Sequence, residues 1–222
     1  MKLRSFLKRI EARIGYRATT WEQVLARNPV CLYAGDLPGK QGYEKFVGLS
    51  LTQRNRWHLR HDLTERHPIP DNSVDLYVSE DVFEHIAFEH MPAILLDVYR
   101  ILKPGGVFRL AVPDYRCDVL ANRSVKDPDG NIIFDPQGGG RFAEGKVVDS
   151  GHIWFPIYEN VRDLLAQTPF GTLDFRHHYT EQGEPVTKPI DYSKSHVQRT
   201  PDHDPRVRDP YRPMSIVVDC YK

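Results

Sequence analysis

Hydrophobic and polar positions follow their clearest pattern in residues 73–116. Val74, Leu76 and Val78 alternate with Asp75 and Tyr77, which predicts a strand ending near residue 79. A helix is then predicted from Pro92, with apolar residues at helical spacing: Ile94, Leu95, Val98, Ile101 and Leu102. The breaker sequence KPGG at 103–106 ends this helix, and residues 107–112 form a second apolar strand.

A strand–helix–strand unit of this length predicts two parallel strands. In such sheets the ligand lies beyond the carboxyl ends of the strands, so Ser79 and Asp114 are expected to face a binding site. Further strands are predicted at 30–35, 45–50, 58–63, 172–180 and 216–221. Helices are predicted at 20–26 and in the element that His152 opens, which continues as a helix through Val161, Leu164 and Leu165 to about residue 167. The pattern as a whole predicts an α/β fold.

The sequences SEDVFEHI (79–86), YRILKPGGVFRLAVPD (99–114) and HPIPDNSVD (67–75) resemble class I AdoMet-dependent methyltransferases of the methyltransferase type 11 kind. The carboxyl third, including RHHYTEQGEP (176–185), is similar to a small bacterial group of them linked to surface-polysaccharide biosynthesis. The resemblance implies a Rossmann-like fold, with a mostly parallel central sheet flanked by helices and an antiparallel C-terminal strand. It also implies S-adenosyl-L-methionine as cofactor and O-methylation of a sugar or glycan precursor.

The resemblance further implies which residues bind the cofactor. They follow the first four strands and are Ala34, Gly35, Asp36, Ser50, Asp62, Leu63 and Ser79. Asp62 would accept a hydrogen bond from the adenine amino group, and Leu63 would line the ring. Leu37 stands where the family has a second glycine, and Ser50 stands where it has a ribose-binding acid. These two departures favour an alternative function, a catalytically degenerate binding or scaffolding subunit.

Three residues are candidates for catalysis. His85 is expected on the helix after the fourth strand, either as the base that deprotonates the acceptor or as a structural side chain. Asp114 is either a base facing the acceptor or a capping residue, and His152 is either catalytic or structural. The chain contains no ligand array such as H-E-x-x-H, so we predict no metal. A dehydrogenase is disfavoured because no G-x-G-x-x-G follows a predicted strand.

Residues 117–150 predict an insertion or lid over the active-site edge of a methyltransferase-like domain spanning 29–222. The segment DPDGN at 127–131 is typical of a hairpin turn, and also of the opening of a calcium loop. We favour the turn, because no glutamate stands at the twelfth position of such a loop.

Residues 1–28 predict an N-terminal helical cap in which 1–17 are basic and amphipathic. The alternative for 1–17 is weak contact with a membrane surface. Lys plus Arg equal Asp plus Glu at 30 each, so no nucleic-acid partner is expected. Three widely spaced cysteines and the lack of a long apolar run predict a cytoplasmic location. The expected partner is a small-molecule or glycan acceptor, and the oligomeric state is unknown.

Overall fold

The computed structural model describes residues 18–39 and 41–222. The described chain contains the following strands: β1 Cys31–Ala34, β2 Val47–Ser50, β3 His58–Arg60, β4 Val74–Glu80, β5 Leu102–Pro113, β6 Val125–Lys126, β7 Ile132–Phe134, β8 Arg141–Ala143, β9 Lys146–Val148, β10 Thr172–Tyr179, β11 Pro185–Thr187 and β12 Ser215–Tyr221. Its α-helices are α1 Trp21–Leu25, α2 Met91–Ile101, α3 Asp118–Ala121 and α4 Tyr158–Ala166.

Eight of these strands form one central sheet in the order β11-β10-β12-β5-β4-β1-β2-β3. Strands β1 to β5 are parallel to one another, and β12 lies antiparallel between β5 and β10. The predicted Rossmann-like class I arrangement, mostly parallel with an antiparallel C-terminal strand, is confirmed. Parallel strands are covered on both faces, which explains why β1 is buried at every position.

Helix α2 joins β4 to β5 and packs on one face of the sheet. It buries Met91, Ile94, Leu95 and Val98 in the largest hydrophobic cluster, which also contains residues of α1 and α4. A smaller cluster on the opposite face combines alternate residues of β1 and β4 with Tyr43 and Phe46. The helical spacing read from the sequence therefore identified the buried face of α2 correctly.

Strand β5 begins earlier than the sequence predicts, directly at the end of α2. Val74 pairs with Leu102, whereas Leu76 pairs with Val107, so residues 103–106 form a bulge within the strand. Gly105 has φ +78°, a conformation that L side chains rarely adopt. The breaker residues therefore lie inside β5, after the helix has ended at Ile101.

Residues 117–150, the segment predicted as an insertion, contain helix α3 and two small hairpins, β6–β7 and β8–β9. The carboxylate of Asp127 accepts hydrogen bonds from the backbone of Asp129 and Asn131. The prediction of a hairpin turn at 127–131 is confirmed. The predicted strands at 172–180 and 216–221 correspond to β10 and β12, whereas β11 was not predicted.

The predicted amphipathic helix at 1–17 lies outside the described residues. Helix α1 begins after Thr20, whose hydroxyl accepts a hydrogen bond from the backbone of Gln23, as the sequence predicts. Within 18–39 and 41–222, every helix is too short or too polar to cross a membrane.

Candidate active site

A cavity of about 370 Å³ opens at the carboxyl ends of β1 to β4. Its wall contains six residues that the sequence analysis assigned to cofactor binding or catalysis: Gly35, Asp36, Ser50, Asp62, Leu63 and His85. We call it the cofactor cavity. It lies where parallel α/β sheets bind their ligands, because the loops that follow neighbouring strands converge there.

Ala34 and Ser79, which were also assigned to the cofactor, lie behind this wall. They pair with each other across β1 and β4, and both are fully buried. The hydroxyl of Ser79 has no hydrogen-bond partner among the described residues. The cavity wall instead begins one residue after Ala34, at Gly35.

Leu37, which replaces the family's second glycine, does not line the cofactor cavity. Its side chain packs against the hydrophobic cluster around Tyr43. Its backbone N–H donates to Nε2 of His58 at 3.0 Å. The ring of His58 packs over Gly48, where an added Cβ would lie 2.5 Å from Cδ2 of the ring. His58 therefore anchors the loop after β1 at Leu37, whereas Gly35 and Asp36 of the same loop line the cavity.

Ser50 and Asp62 are both engaged in local turns. Oγ of Ser50 accepts hydrogen bonds from the backbone N–H groups of Thr52 and Gln53 at 3.1 and 2.8 Å. Oδ1 of Asp62 accepts two hydrogen bonds from Thr64, which lower the pKa of this carboxyl. Asp62 is exposed, and its Oδ2 has no hydrogen-bond partner among the described residues. It is therefore a charged acceptor in the cavity wall.

His61 was missed by the sequence analysis, although it immediately precedes Asp62. Its ring is buried between Trp21 and His67, and its Nε2 has no partner among the described residues. Burial, reinforced by His67, lowers the pKa of His61 to about 4. A neutral ring with an unsatisfied nitrogen thus lies in the cavity wall. The only sequence signal was its position after a strand.

The three candidate catalytic residues have different surroundings. His85 lies on a short 3₁₀ turn, Phe83–His85, rather than on the predicted helix. Nδ1 of His85 lies 3.0 Å from the carbonyl oxygen of Ser150 in the insertion. The ring of His152 packs edge-on against that of His85, with 4.6 Å between centroids. These two histidines, distant in sequence, are therefore in contact.

Asp114 does not line the cofactor cavity. It is fully buried, and its two oxygens accept hydrogen bonds from the backbone of Arg116 and Tyr179 at 3.0 and 2.8 Å. Burial raises the pKa of Asp114 to about 6. Asp114 thus ties the end of β5 to β10, which favours the capping alternative over the acceptor-facing base.

Glu84 is the site residue that the sequence analysis undervalued. It is fully buried, and neither carboxylate oxygen has a hydrogen-bond partner among the described residues. Its Oε1 lies 3.6 Å from Nε2 of His152. The EHI motif drew attention to His85, but burial of Glu84 depends on the insertion and cannot be read from the motif.

A second cavity of about 420 Å³ shares Asp81 with the cofactor cavity. Its wall consists mainly of polar side chains, including Gln198, Arg199, His203 and Arg206. Both oxygens of Asp81 are paired with the guanidinium of Arg199, at 2.8 Å each. We call it the polar cavity. It is suited to a ligand rich in hydrogen-bonding groups.

Four aromatic side chains near this edge are used in packing. Tyr115 and Phe155 pack against each other, and the indole of Trp154 donates to the carbonyl of Phe83. Tyr158 stacks on the ring of His178. In this structure their rings contact other protein side chains.

Comparison with known proteins agrees with this geometry. The methyltransferase domain family matches residues 43–110, which run from before β2 into β5. No curated protein matches the chain.

Among solved structures, a SAM-dependent methyltransferase from Thermotoga maritima, described as a possible histamine N-methyltransferase, is 15% identical with a TM-score of 0.49. The match covers 86% of this chain and 81% of that one. An S-adenosylmethionine-dependent methyltransferase from Mesorhizobium loti is 19% identical, with coverage of 86% and 90% and a TM-score of 0.46. The 1,6-didemethyltoxoflavin-N1-methyltransferase of Burkholderia thailandensis, solved with S-adenosylhomocysteine, is 12% identical, with coverage of 97% and 75% and a TM-score of 0.47. The methyltransferase domain model matches residues 43–110, and the sheet around that match has a mostly parallel order with an antiparallel C-terminal strand, as in the class I fold.

Proposed function

We propose that the chain transfers the methyl group of S-adenosylmethionine to a hydroxyl group of a sugar or glycan precursor. The observation that carries this proposal is a buried carboxylate and two histidines, Glu84, His85 and His152, directly beside the cofactor cavity. Alcohols need a group that takes their proton during methyl transfer, and this cluster supplies such groups. The acceptor class is taken from the resemblance to enzymes of surface-polysaccharide biosynthesis.

The residues of the cofactor cavity fit S-adenosylmethionine, which supplies a methyl group bonded to a positively charged sulfur. Gly35 and Asp36 would hold its amino-acid end, and Asp62 and Leu63 would contact its adenine ring. His61 contributes a buried nitrogen that has no hydrogen-bond partner among the described residues. Such a nitrogen is expected where a polar ligand binds against the cavity wall. Ser50 offers the ribose a hydroxyl in place of the family's acid.

The polar cavity is the proposed acceptor site. Its side chains can donate to and accept from hydroxyl groups, and Asp81 separates it from the cofactor cavity. An acceptor held there would present its oxygen near His85. Alignment of donor and acceptor is the main contribution that an enzyme makes to a displacement of this kind.

In the proposed reaction, the acceptor oxygen bonds to the methyl carbon as the bond from that carbon to sulfur breaks. The hydroxyl proton passes to the cluster of Glu84, His85 and His152. His85 lines the cofactor cavity and is the member nearest the reacting atoms. Asp114 is assigned a structural task, because both of its oxygens are occupied by backbone N–H groups.

The alternative function is a non-catalytic scaffold. The surroundings of Leu37 and Glu84 disfavour it. As departures from the family pattern, Leu37 and Ser50 both favour the scaffold, but the side chain of Leu37 packs on the cluster around Tyr43 and does not line the cofactor cavity. A buried carboxyl group such as that of Glu84, with no hydrogen-bond partner among the described residues, is costly because a polar group loses its hydration on burial. A scaffold gives no reason to retain it.

The test is transfer of isotopically labelled methyl from S-adenosylmethionine to a panel of nucleotide-sugars and oligosaccharides. We expect label in at least one hydroxyl-bearing acceptor, with S-adenosylhomocysteine released in equal amount. Transfer only to amines on a parallel panel would contradict the acceptor class. No transfer, combined with no binding of S-adenosylhomocysteine, would support the scaffold.

A further inference from the structure

Glu84, His85 and His152 each place a ligand-type atom in one small volume. These atoms all lie within 4.8 Å of one another. Glu84 and His152 are buried, and His85 is half-buried at the wall of the cofactor cavity. The sequence predicts no metal when only closely spaced ligands are considered. His152 is far from Glu84 and His85 in the sequence, because residues 117–150 lie between them, and it meets them only in the fold.

In the described part of the chain, the carboxylate of Glu84 lacks the hydrogen-bond partners that buried carboxylates normally have. A nearby buried residue, Glu80, shows the usual arrangement: its oxygens accept hydrogen bonds from the backbone of Gln198 and from the hydroxyl of Tyr43, at 2.5 and 2.7 Å. Glu84 is equally buried, yet neither oxygen has a hydrogen-bond partner among the described residues. An unsatisfied carboxylate at zero exposure indicates a ligand that completes it.

Both histidines have Nδ1 bonded to the protein, and Nε2 of His152 lies 3.6 Å from Oε1 of Glu84. Nδ1 of His85 donates to the carbonyl of Ser150 at 3.0 Å. Nδ1 of His152 donates to the phenol oxygen of Tyr115 at 2.5 Å, and that phenol donates to Asp135 at 2.9 Å. This assignment of protons leaves a lone pair on each Nε2. Metal-binding histidines are oriented in the same way, by an outer partner on the second nitrogen.

We propose that Glu84, His85 and His152 bind one divalent first-row transition-metal ion. Two imidazoles and one carboxylate suit Mn²⁺, Zn²⁺ and related ions better than Mg²⁺ or Ca²⁺, which prefer oxygen ligands alone. Three protein ligands leave positions open for the acceptor oxygen. This inference deepens the proposed function and rests on it for the role of the ion. The ion would lower the pKa of the acceptor hydroxyl and orient it toward the methyl group, and the hydroxyl proton would then leave to a water molecule rather than to the three ligands.

The chain contains a matched control for the test. The tripeptide Phe-Glu-His occurs twice, at Phe83–His85 and at Phe88–His90, and both copies form 3₁₀ turns. Glu89 and His90 are exposed. Substitutions of Glu89 and His90 in the second turn therefore change the same residue types without touching the cluster of Glu84, His85 and His152.

The experiment measures ion binding by the full chain after treatment with a chelator. Mn²⁺ is followed by electron paramagnetic resonance and Zn²⁺ by calorimetry, without cofactor or acceptor. We expect one ion per chain and a higher melting temperature with Zn²⁺. Glu84→Gln and His152→Gln should weaken binding by about 100-fold or more, because each removes a ligand. Glu89→Gln and His90→Gln should bind like the wild type.

No uptake at millimolar Mn²⁺ and Zn²⁺ would overturn the inference, and so would equal affinity in Glu84→Gln and the wild type. Glu84→Gln keeps the shape of the side chain, and circular dichroism verifies its fold. Titration of the same samples with S-adenosylhomocysteine separates the two proposals. Cofactor binding without ion binding would refute the metal site alone, whereas ion binding without cofactor binding would uphold the site and refute the proposed function.

Discussion

The two Phe-Glu-His turns have the same sequence and the same backbone conformation, but their surroundings differ. In Phe83–His85, the phenylalanine and the glutamate are fully buried. In Phe88–His90, all three side chains are exposed. The first turn follows the carboxyl end of β4 and lies under the insertion, whereas the second precedes α2. Position in the fold, rather than local sequence, decides which turn belongs to the site.

The largest expected difference between the turns is in stability. Phe83 is fully buried and packs against Phe108, whereas Phe88 is 42% exposed and contacts Trp154. Phe83→Ala should lower the free energy of unfolding by about 3–5 kcal/mol, through lost burial and the cavity left behind. Phe88→Ala should lower it by about 1 kcal/mol, since much of that ring already meets water. Urea denaturation of both variants measures the difference; equal losses would remove the structural contrast between the turns.

The next contrast is catalytic. Glu84→Gln should slow methyl transfer by about 100-fold or more, the scale of a lost acid–base or metal-binding group. Its stability should stay close to that of the wild type, because burial raises the pKa of Glu84 and so already disfavours its charged form, and glutamine keeps the shape of the side chain. Glu89→Gln should retain the wild-type rate. Initial rates and melting curves test this, and a normal rate in Glu84→Gln would place the reaction centre elsewhere.

The smallest expected effect concerns the pH dependence of stability, and it compares buried His177 with exposed His90. Burial lowers the pKa of His177 to about 4, whereas His90 is exposed. In the unfolded chain this histidine binds a proton near pH 6.5, whereas in the folded chain it binds one only near pH 4. The free energy of unfolding therefore falls as the pH falls from about 6.5 to about 4. His177→Gln should reduce the loss between pH 7 and 5 by on the order of 1 kcal/mol. His90→Gln should leave it unchanged. Denaturation at a series of pH values checks the slopes, and identical slopes would refute the assignment.

The fold was predictable because its signals are local. Apolar and polar residues alternate along β4, and apolar residues recur at helical spacing along α2. The residues around KPGG mark the boundary between α2 and the following strand. The exact start of β5 was not predictable, since the bulge at 103–106 depends on pairing with β4. The three-residue β11 was missed for the same reason: its only partner is β10.

The site was predictable only on the cofactor side. Gly35, Ser50 and Asp62 each follow a strand, so parallel pairing alone brings them to one edge. The other side depends on long-range packing: His152 meets Glu84 because the insertion returns the chain to β4, and the link from Ile153 to the carbonyl of Glu84 fixes that return. Such contacts cannot be predicted from the positions of these residues in the sequence.

The most direct test of the central claim is calorimetric titration of the purified chain with S-adenosylhomocysteine. We predict micromolar binding by the wild type. Asp62→Ala should weaken it by about 1–3 kcal/mol, through the loss of a charged acceptor in the wall of the cofactor cavity. No binding at millimolar ligand would contradict the claim that this chain is a working methyltransferase.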